Sequence, residues 1–137
     1  MGKPVCAVIG GSGFMGLEAV PELAQSFDVV ATATRPRDGG YRTLDARDPD
    51  ALAAFVADVE PDCVALLAAY RDPDFCEDHP EETRRLNTRP ADLLCRILPP
   101  AARLLFVSSD YVFDGGRPPY REASDRHPVN VYGQSKK

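Results

Sequence analysis

The sequence has little of what a metal site, a membrane anchor or a nucleic-acid surface would need. It has no tryptophan, two histidines, and four cysteines without any C-x-x-C spacing, which argues against common zinc and dithiol motifs. No apolar run near the N-terminus is long enough for a signal peptide or a membrane span. A net charge of −5 and a pI near 5.0 argue against binding to nucleic acid or to an anionic membrane.

The cysteines and histidines predict no site of their own. Cys6 and Cys63 fall in apolar, strand-like runs where a buried free thiol is the usual occupant, so we expect a reducing, cytoplasmic setting. His79 and His127 each precede a proline, and neither has a neighbouring partner for a proton relay. The acidic residues at 77–82 are interpreted as favourable charge at a helix start rather than as metal ligands.

The chain does contain an alternation of short apolar runs and helical segments. Five strands are predicted at 5–9, 28–33, 41–44, 63–68 and 103–108. Helices are predicted from the end of a glycine loop to about 26, at 49–59, at 80–98 and from about 130. This alternation predicts one α/β domain over residues 1–137, a Rossmann-like, doubly wound parallel sheet of strand order 3-2-1-4-5.

The segment between the first strand and the first helix is rich in glycine. Gly10, Gly13 and Gly16 satisfy G-x-x-G-x-x-G, a spacing that lets a pyrophosphate approach backbone amides at a helix start. Phe14 and Met15, between the last two glycines, belong to the same predicted cofactor-binding loop. Because a strand precedes the loop and a helix follows it, we predict a dinucleotide site rather than a structural turn.

The end of the second strand bears on the choice of dinucleotide. An NAD site usually has an acidic residue there for the adenosine ribose, but this chain has Arg35 and Arg37. Guanidinium groups pair well with a 2′-phosphate. We therefore predict a preference for NADP(H), with NAD(H) as the alternative cofactor and a solvated basic turn as the alternative interpretation of the arginines.

Near position 137 the chain carries a tyrosine and a lysine four residues apart. If the segment is helical, Tyr132 and Lys136 lie on one face. The lysine charge then stabilises the deprotonated phenol, which makes the tyrosine a better proton donor to a carbonyl that is being reduced. This spacing alone is common on solvated helices, but downstream of a glycine-rich phosphate loop it predicts a reductase.

Together these motifs resemble the extended short-chain dehydrogenases, in particular the dTDP-4-dehydrorhamnose reductase group of sugar-nucleotide reductases. The most specific part of the likeness is the run Ser-Ser-Asp-Tyr-Val-Phe-Asp-Gly at 108–115. Further likeness lies in Ala-Ala-Tyr at 68–70, in Cys-Glu-Asp-x-Pro at 76–80 and in Pro-x-Asn-Val-Tyr-Gly at 128–133. The resemblance covers nearly the whole chain.

The resemblance implies roles for individual residues. Tyr132 would donate a proton to the ketone oxygen, Ser109 would hydrogen-bond the same oxygen, and Lys136 would hold the nicotinamide ribose. Asp45 would meet the adenine amino group. Further cofactor contacts are implied for Ala68, Ala69, Tyr70 and Asn87. The alternatives are that Ser109 only forms a turn, that Asp45 is only a cap, and that the alanines are small core residues.

The same resemblance implies a longer protein, because relatives continue with a lobe that grips the nucleotide-sugar substrate. We therefore expect this chain to be an N-terminal portion that is inactive alone and that exposes the edge of its fifth strand to self-association. Three hypotheses follow. The chain is part of an NADP(H)-dependent reductase of a 4-keto sugar nucleotide, a non-catalytic dinucleotide-binding or regulatory protein of the same fold, or an inactive truncated gene product.

Overall fold

The computed structural model describes residues 2–137, which form a parallel five-stranded sheet of order β3-β2-β1-β4-β5. This is the predicted order. The strands are β1 (Val5–Ile9), β2 (Asp28–Ala33), β3 (Arg42–Thr43), β4 (Cys63–Leu66) and β5 (Arg103–Phe106). The last three are shorter than predicted, because the chain leaves the ladder earlier. After β4, for example, the amides of Leu67 and Ala68 both donate to the Ile9 carbonyl, at 2.9 Å.

The centre of the sheet is β1, which is apolar on both faces. Ala7 and Ile9 belong to one core cluster with residues of α2 (Pro49–Val59) and α5 (Arg89–Ile97). Cys6 and Val8 belong to a second cluster, against which side chains of α1 (Phe14–Leu23) pack. Full burial of an aliphatic side chain stabilises the fold by about 1.5–3 kcal/mol, so two apolar faces hold helices on both sides. The architecture is Rossmann-like.

Helix α2 begins where the sequence predicts. The Asp48 carboxylate accepts hydrogen bonds from the amides of Asp50 and Ala51, at 3.0 and 3.1 Å, and Pro49 occupies the first helical turn. An N-cap of this kind is worth roughly 0.5–2 kcal/mol. Helix α1 is shorter than predicted, since it ends at Leu23.

The helix predicted over 80–98 is interrupted. It consists of α4 (Pro80–Thr83), a π-helical turn (Arg84–Thr88) and α5. Pro90 explains the change, because a proline cannot donate to the carbonyl four residues earlier and its ring clashes with that carbonyl. The amide of Arg89 instead donates to the carbonyl of Arg84, five residues back.

Helix α3 (Pro73–Asp78) was not predicted. The Asp72 carboxylate caps it by accepting from the amides of Asp74 and Phe75, at 3.0 and 3.3 Å. The Asp-Pro pair that opens α3 is the same start signal as at α2, and that signal was available in the sequence.

The chain between β5 and α6 (Val131–Ser135) is mostly irregular, as predicted for 114–128, and begins with a 3-10 turn at Asp110–Val112. Strand β5 has one neighbour within residues 2–137, and its Leu105 is 59% exposed. Within residues 2–137, no helix is both long and apolar enough to cross a membrane.

Candidate functional site

A cavity of about 620 Å³ lies at the carboxyl ends of β1 and β4, where the strand order reverses direction. Crevices at this point of a doubly wound sheet hold ligands, and the volume lies within the range of small-molecule sites. Ten of the fifteen predicted site residues line it: Gly10, Gly13, Phe14, Met15, Gly16, Ala68, Ala69, Ser109, Tyr132 and Lys136.

The glycine loop has a backbone that larger residues could not adopt. Gly10 has a φ of +88°, and a Cβ there would lie 2.6 Å from the Ala68 amide nitrogen. A Cβ on Gly16 would collide with the Gly11 carbonyl. The loop therefore lies directly against the chain that follows β4 and keeps the start of α1 close to the sheet. The Gly10 amide donates to the Thr32 hydroxyl, at 3.2 Å, which ties the loop to β2.

The start of α1 is suited to an anion. Gly13 is its N-cap, no side chain accepts from the amides of the first turn, and that turn has no acidic residue. These amides and the positive end of the helix dipole favour a negative group. A pyrophosphate would supply the acceptors that this helix start lacks. The residues present thus fit the phosphates of a dinucleotide.

Helix α6 places Tyr132 at the cavity. The Asn130 side chain caps the helix by accepting from the Gly133 amide, at 2.7 Å. The Tyr132 ring meets the Tyr111 ring edge-on, with centroids 5.4 Å apart. Since Tyr111 belongs to the 3-10 turn after β5, this contact fixes the phenol beside the end of that strand.

Lys136 lies four residues after Tyr132, directly after the end of α6, and is almost fully buried, at 6% exposed. Burial lowers the pKa of its ammonium group, because a low dielectric disfavours the charged form. Its Nζ lies 5.1 Å from the centroid of the Phe106 ring. The Ser109 hydroxyl, also at the cavity, donates to the Asp110 carboxylate at 3.1 Å and accepts from the Tyr111 amide at 3.3 Å.

The family model of the RmlD substrate binding domain matches residues 6–137. The chain belongs to this family. Methionine adenosyltransferase 2 subunit beta of Xenopus laevis is 37% identical over 134 residues, which are 94% of this chain and 39% of that protein. The chain therefore spans about two fifths of the length of this relative.

Solved structures agree with the family assignment. A dTDP-4-dehydrorhamnose reductase from Bacillus anthracis in complex with NADP aligns with a TM-score of 0.87 and 26% identity, covering 99% of this chain and 47% of that one. A UDP-glucose 4-epimerase from Brucella ovis in complex with NAD aligns with a TM-score of 0.81 and 25% identity, covering 97% and 44%. The chain thus spans about half of each structure.

Asn87 was predicted to contact the cofactor, but it does not line the cavity. Its side chain accepts from the Tyr70 amide and donates to the Tyr70 carbonyl, both at 2.8 Å, and donates to the Ser135 hydroxyl at 3.0 Å. Asn87 therefore joins the segment after β4 to α6 and positions the helix that carries Tyr132. Tyr70 also lies outside the cavity lining, and its hydroxyl contacts Glu82.

The predicted residues for the adenosine end of the cofactor also lie outside the cavity lining. Arg35 and Arg37 are exposed, and the Arg37 guanidinium lies 5.5 Å from the centroid of the Tyr41 ring. Asp45 forms an ion pair with Arg47 at 2.7 Å, and hydrogen bonding from Arg47 holds the pKa of the Asp45 carboxyl below its usual value.

Several lining residues were not predicted. Those that contribute polar or charged groups are Ser12, Thr32, Thr34, Arg71 and Ser108. Ser108 belongs to the same run at 108–115 on which the resemblance, and with it the role of Ser109, depended, so that run could have indicated it. Arg71 carries no such signal, and its guanidinium lies 5.2 Å from the centroid of the Phe14 ring. No group of three or more potential metal ligands occurs among the residues that the structure describes.

Proposed function

We propose that the chain is the dinucleotide-binding, N-terminal part of a nicotinamide-dependent ketoreductase that acts on a 4-keto sugar nucleotide. One observation carries this proposal: the glycine loop and the set of Ser109, Tyr132 and Lys136 line the same cavity. Phosphate-binding and proton-donating groups are therefore within reach of one bound molecule. The likeness to the Bacillus anthracis dTDP-4-dehydrorhamnose reductase supports the choice of substrate class.

In this function each side chain has a defined task. The Tyr132 hydroxyl donates a proton to the ketone oxygen, and the Ser109 hydroxyl hydrogen-bonds that oxygen. The Lys136 ammonium binds the nicotinamide ribose and attracts negative charge on the phenol, an effect that its burial strengthens. NADPH, when bound, supplies the hydride.

We further propose that NADP(H) is preferred to NAD(H). Thr34, the first residue after β2, lines the cavity, and Arg35 follows it directly. A charge-assisted contact from Arg35 to a 2′-phosphate should contribute about 1.5–3 kcal/mol. Calorimetry should therefore show tighter binding of NADPH than of NADH, and Arg35→Ala should remove that difference.

Arg117→Ala is the matched control, because Arg117 is an exposed arginine that does not line the cavity. It should leave both affinities unchanged. Equal affinities for NADPH and NADH in the unaltered chain would refute the preference, and absence of binding to either would refute dinucleotide binding itself.

Turnover requires a substrate site. Because the chain spans about half of its solved neighbours, we expect the 137-residue polypeptide to bind NADPH without reducing a nucleotide-sugar ketone. Positioning of the substrate can supply roughly 7–11 kcal/mol of barrier lowering. Fusion to the C-terminal half of a dTDP-4-dehydrorhamnose reductase should restore turnover.

In that fusion, Tyr132→Phe should lower kcat by about 10²–10⁴-fold, the usual contribution of a general acid, with little change in NADPH affinity. Tyr120→Phe, a change to a loop tyrosine outside the cavity lining, is the matched control. Turnover that is insensitive to Tyr132→Phe would contradict the proposed role.

A second candidate is a subunit that binds the dinucleotide without turnover. The observation in its favour is the 37% identity to methionine adenosyltransferase 2 subunit beta of Xenopus laevis, whose name describes a component of a larger enzyme. NADPH binding by the fusion, with no ketone-dependent oxidation of NADPH, would favour this candidate.

A further inference from the structure

The cavity at the carboxyl ends of β1 and β4 is lined by two charged side chains, and both of them are basic. They are Arg71 and Lys136, and within residues 2–137 no acidic side chain joins them. The chain as a whole has a net charge of −5, so this cavity gathers positive charge against the overall balance. The proposed function gives Lys136 a task and leaves Arg71 without one.

Arg71 lies beside the helix start that is suited to an anion. Its guanidinium lies 5.2 Å from the centroid of the Phe14 ring, and Phe14 directly follows Gly13, the N-cap of α1. A Cβ on Gly10 would lie 2.6 Å from the Ala68 amide nitrogen, so the segment that carries Arg71 runs against the glycine loop. The guanidinium and the amides of the first helical turn therefore lie at the same end of the cavity.

The guanidinium is available for a ligand. Within residues 2–137 no carboxylate lies within 4.0 Å of Arg71, and its side chain is exposed. Its contact with Phe14 is weak, because Phe14 is 78% exposed and water reaches both partners. A phosphate can thus bind Arg71 without breaking an ion pair.

The backbone at Arg71 is held on both sides. Before it, Asn87 bonds both the amide and the carbonyl of Tyr70, each at 2.8 Å. After it, the Asp72 carboxylate caps α3 by accepting from the Asp74 amide at 3.0 Å. A ligand therefore has to order only the side chain of Arg71, which keeps the entropic cost of the contact low.

The position of Arg71 favours the pyrophosphate over the 2′-phosphate of a dinucleotide. Arg71 follows β4, whereas Arg35 follows β2, and these two strands lie on opposite sides of β1. Both phosphates of a pyrophosphate are ionised at neutral pH, and a guanidinium binds phosphate oxygens bidentately. The amides of α1 supply only partial positive charge, so a full charge beside them complements the ligand.

We propose that Arg71 binds the pyrophosphate of the dinucleotide, as the charged partner of the amides at the start of α1. This inference rests on the proposed dinucleotide site and adds a residue to it. It also separates two arginines by their effect, because Arg71 contacts a group that NADPH and NADH share, while Arg35 contacts one that only NADPH has.

Calorimetry of the chain with NADPH, NADH and adenosine 5′-diphosphoribose tests this. In Arg71→Ala each of the three should bind about ten- to 100-fold more weakly, the loss expected for one charge-assisted contact. Arg71→Lys should recover part of the loss, since an ammonium keeps the charge without the planar fork. The factor should shrink as the salt concentration rises, because the contact is partly exposed.

Arg117→Ala, which removes the same charge outside the cavity lining, is the matched control and should leave all three affinities unchanged. If Arg71→Ala does not fold, as judged by circular dichroism, Arg71→Gln provides the same test with a longer side chain. Unchanged affinities in the Arg71 variant, a loss confined to NADPH, or an equal loss in Arg117→Ala would each overturn this inference alone. Absence of binding by the unaltered chain would instead refute the dinucleotide site, and this inference with it.

Discussion

Truncation of Asn87 tests how the candidate site is held together. Asn87 is 1% exposed and makes three hydrogen bonds, two with the Tyr70 backbone and one with the Ser135 hydroxyl. Asn87→Ala would remove all three while leaving the partners in place. The partly buried Tyr70 amide would then lack a partner, and the Tyr70 carbonyl would keep only the weak bond from the Cys76 thiol, at 3.9 Å.

The cost follows from the groups that lose a partner. A buried polar group left unsatisfied costs about 1–3 kcal/mol, and both backbone groups of Tyr70 are affected. The Ser135 hydroxyl keeps a bond, because it donates to the Tyr132 carbonyl at 2.7 Å. The free energy of unfolding should therefore fall by roughly 2–5 kcal/mol, a large part of the usual total of about 5–15 kcal/mol.

Urea unfolding followed by circular dichroism measures this change as a lower midpoint at an unchanged slope. Gln134→Ala is the matched control, because Gln134 is exposed on α6, and it should stay within about 0.5 kcal/mol of the unaltered protein. A loss of less than about 1 kcal/mol in Asn87→Ala would refute the view that these bonds fix the segment after β4 against α6.

Three further predictions concern other parts of the fold. Iodoacetamide should alkylate the exposed Cys95 before the buried Cys6, because burial raises the pKa of the Cys6 thiol to about 12; peptide mass spectrometry that found equal rates would contradict this. Asp45→Asn should cost no more than about 1 kcal/mol at neutral pH, since the pair with Arg47 is partly exposed. Folding lowers the pKa of Asp45, so its contribution to stability is present above the ordinary value of 3.8 and is lost as the pH falls through the lower, folded value. The urea midpoints of the unaltered protein and of Asp45→Asn should therefore converge in acid, and midpoints that stayed apart would contradict this. Leu105→Lys should reduce self-association through the β5 edge in sedimentation experiments. If the unaltered chain sediments only as a monomer, this prediction is wrong.

The sheet could be predicted because its signals are local. The buried run of β1 and the Asp48-Pro49 start of α2 each act within a few residues, and the strand order follows from right-handed crossovers. The periodicity of side chains does not show the π-helical turn, but Pro90, which interrupts the helix, was a visible signal in the sequence. Helix α3 was missed although its Asp-Pro start was visible.

In the candidate site, too, the local motifs could be predicted and the long-range contacts could not. The glycine loop and the Tyr132-to-Lys136 spacing are short motifs, and the structure brings them to one cavity. The bonds of Asn87 join residues 17 and 48 positions apart, so no local pattern could reveal them.

Long-range contacts also decide whether the tyrosine can act. Helix α6 has five residues, and a helix of that length is not stable alone in water. Its place depends on Asn87, which binds Ser135, and on the Ser108 hydroxyl, which donates to the Lys136 carbonyl at 2.8 Å. The Tyr-x-x-x-Lys motif therefore specifies the chemical groups, while side chains outside the motif determine where those groups lie. Changes at these supporting residues should impair the proposed proton donation without altering either the tyrosine or the lysine.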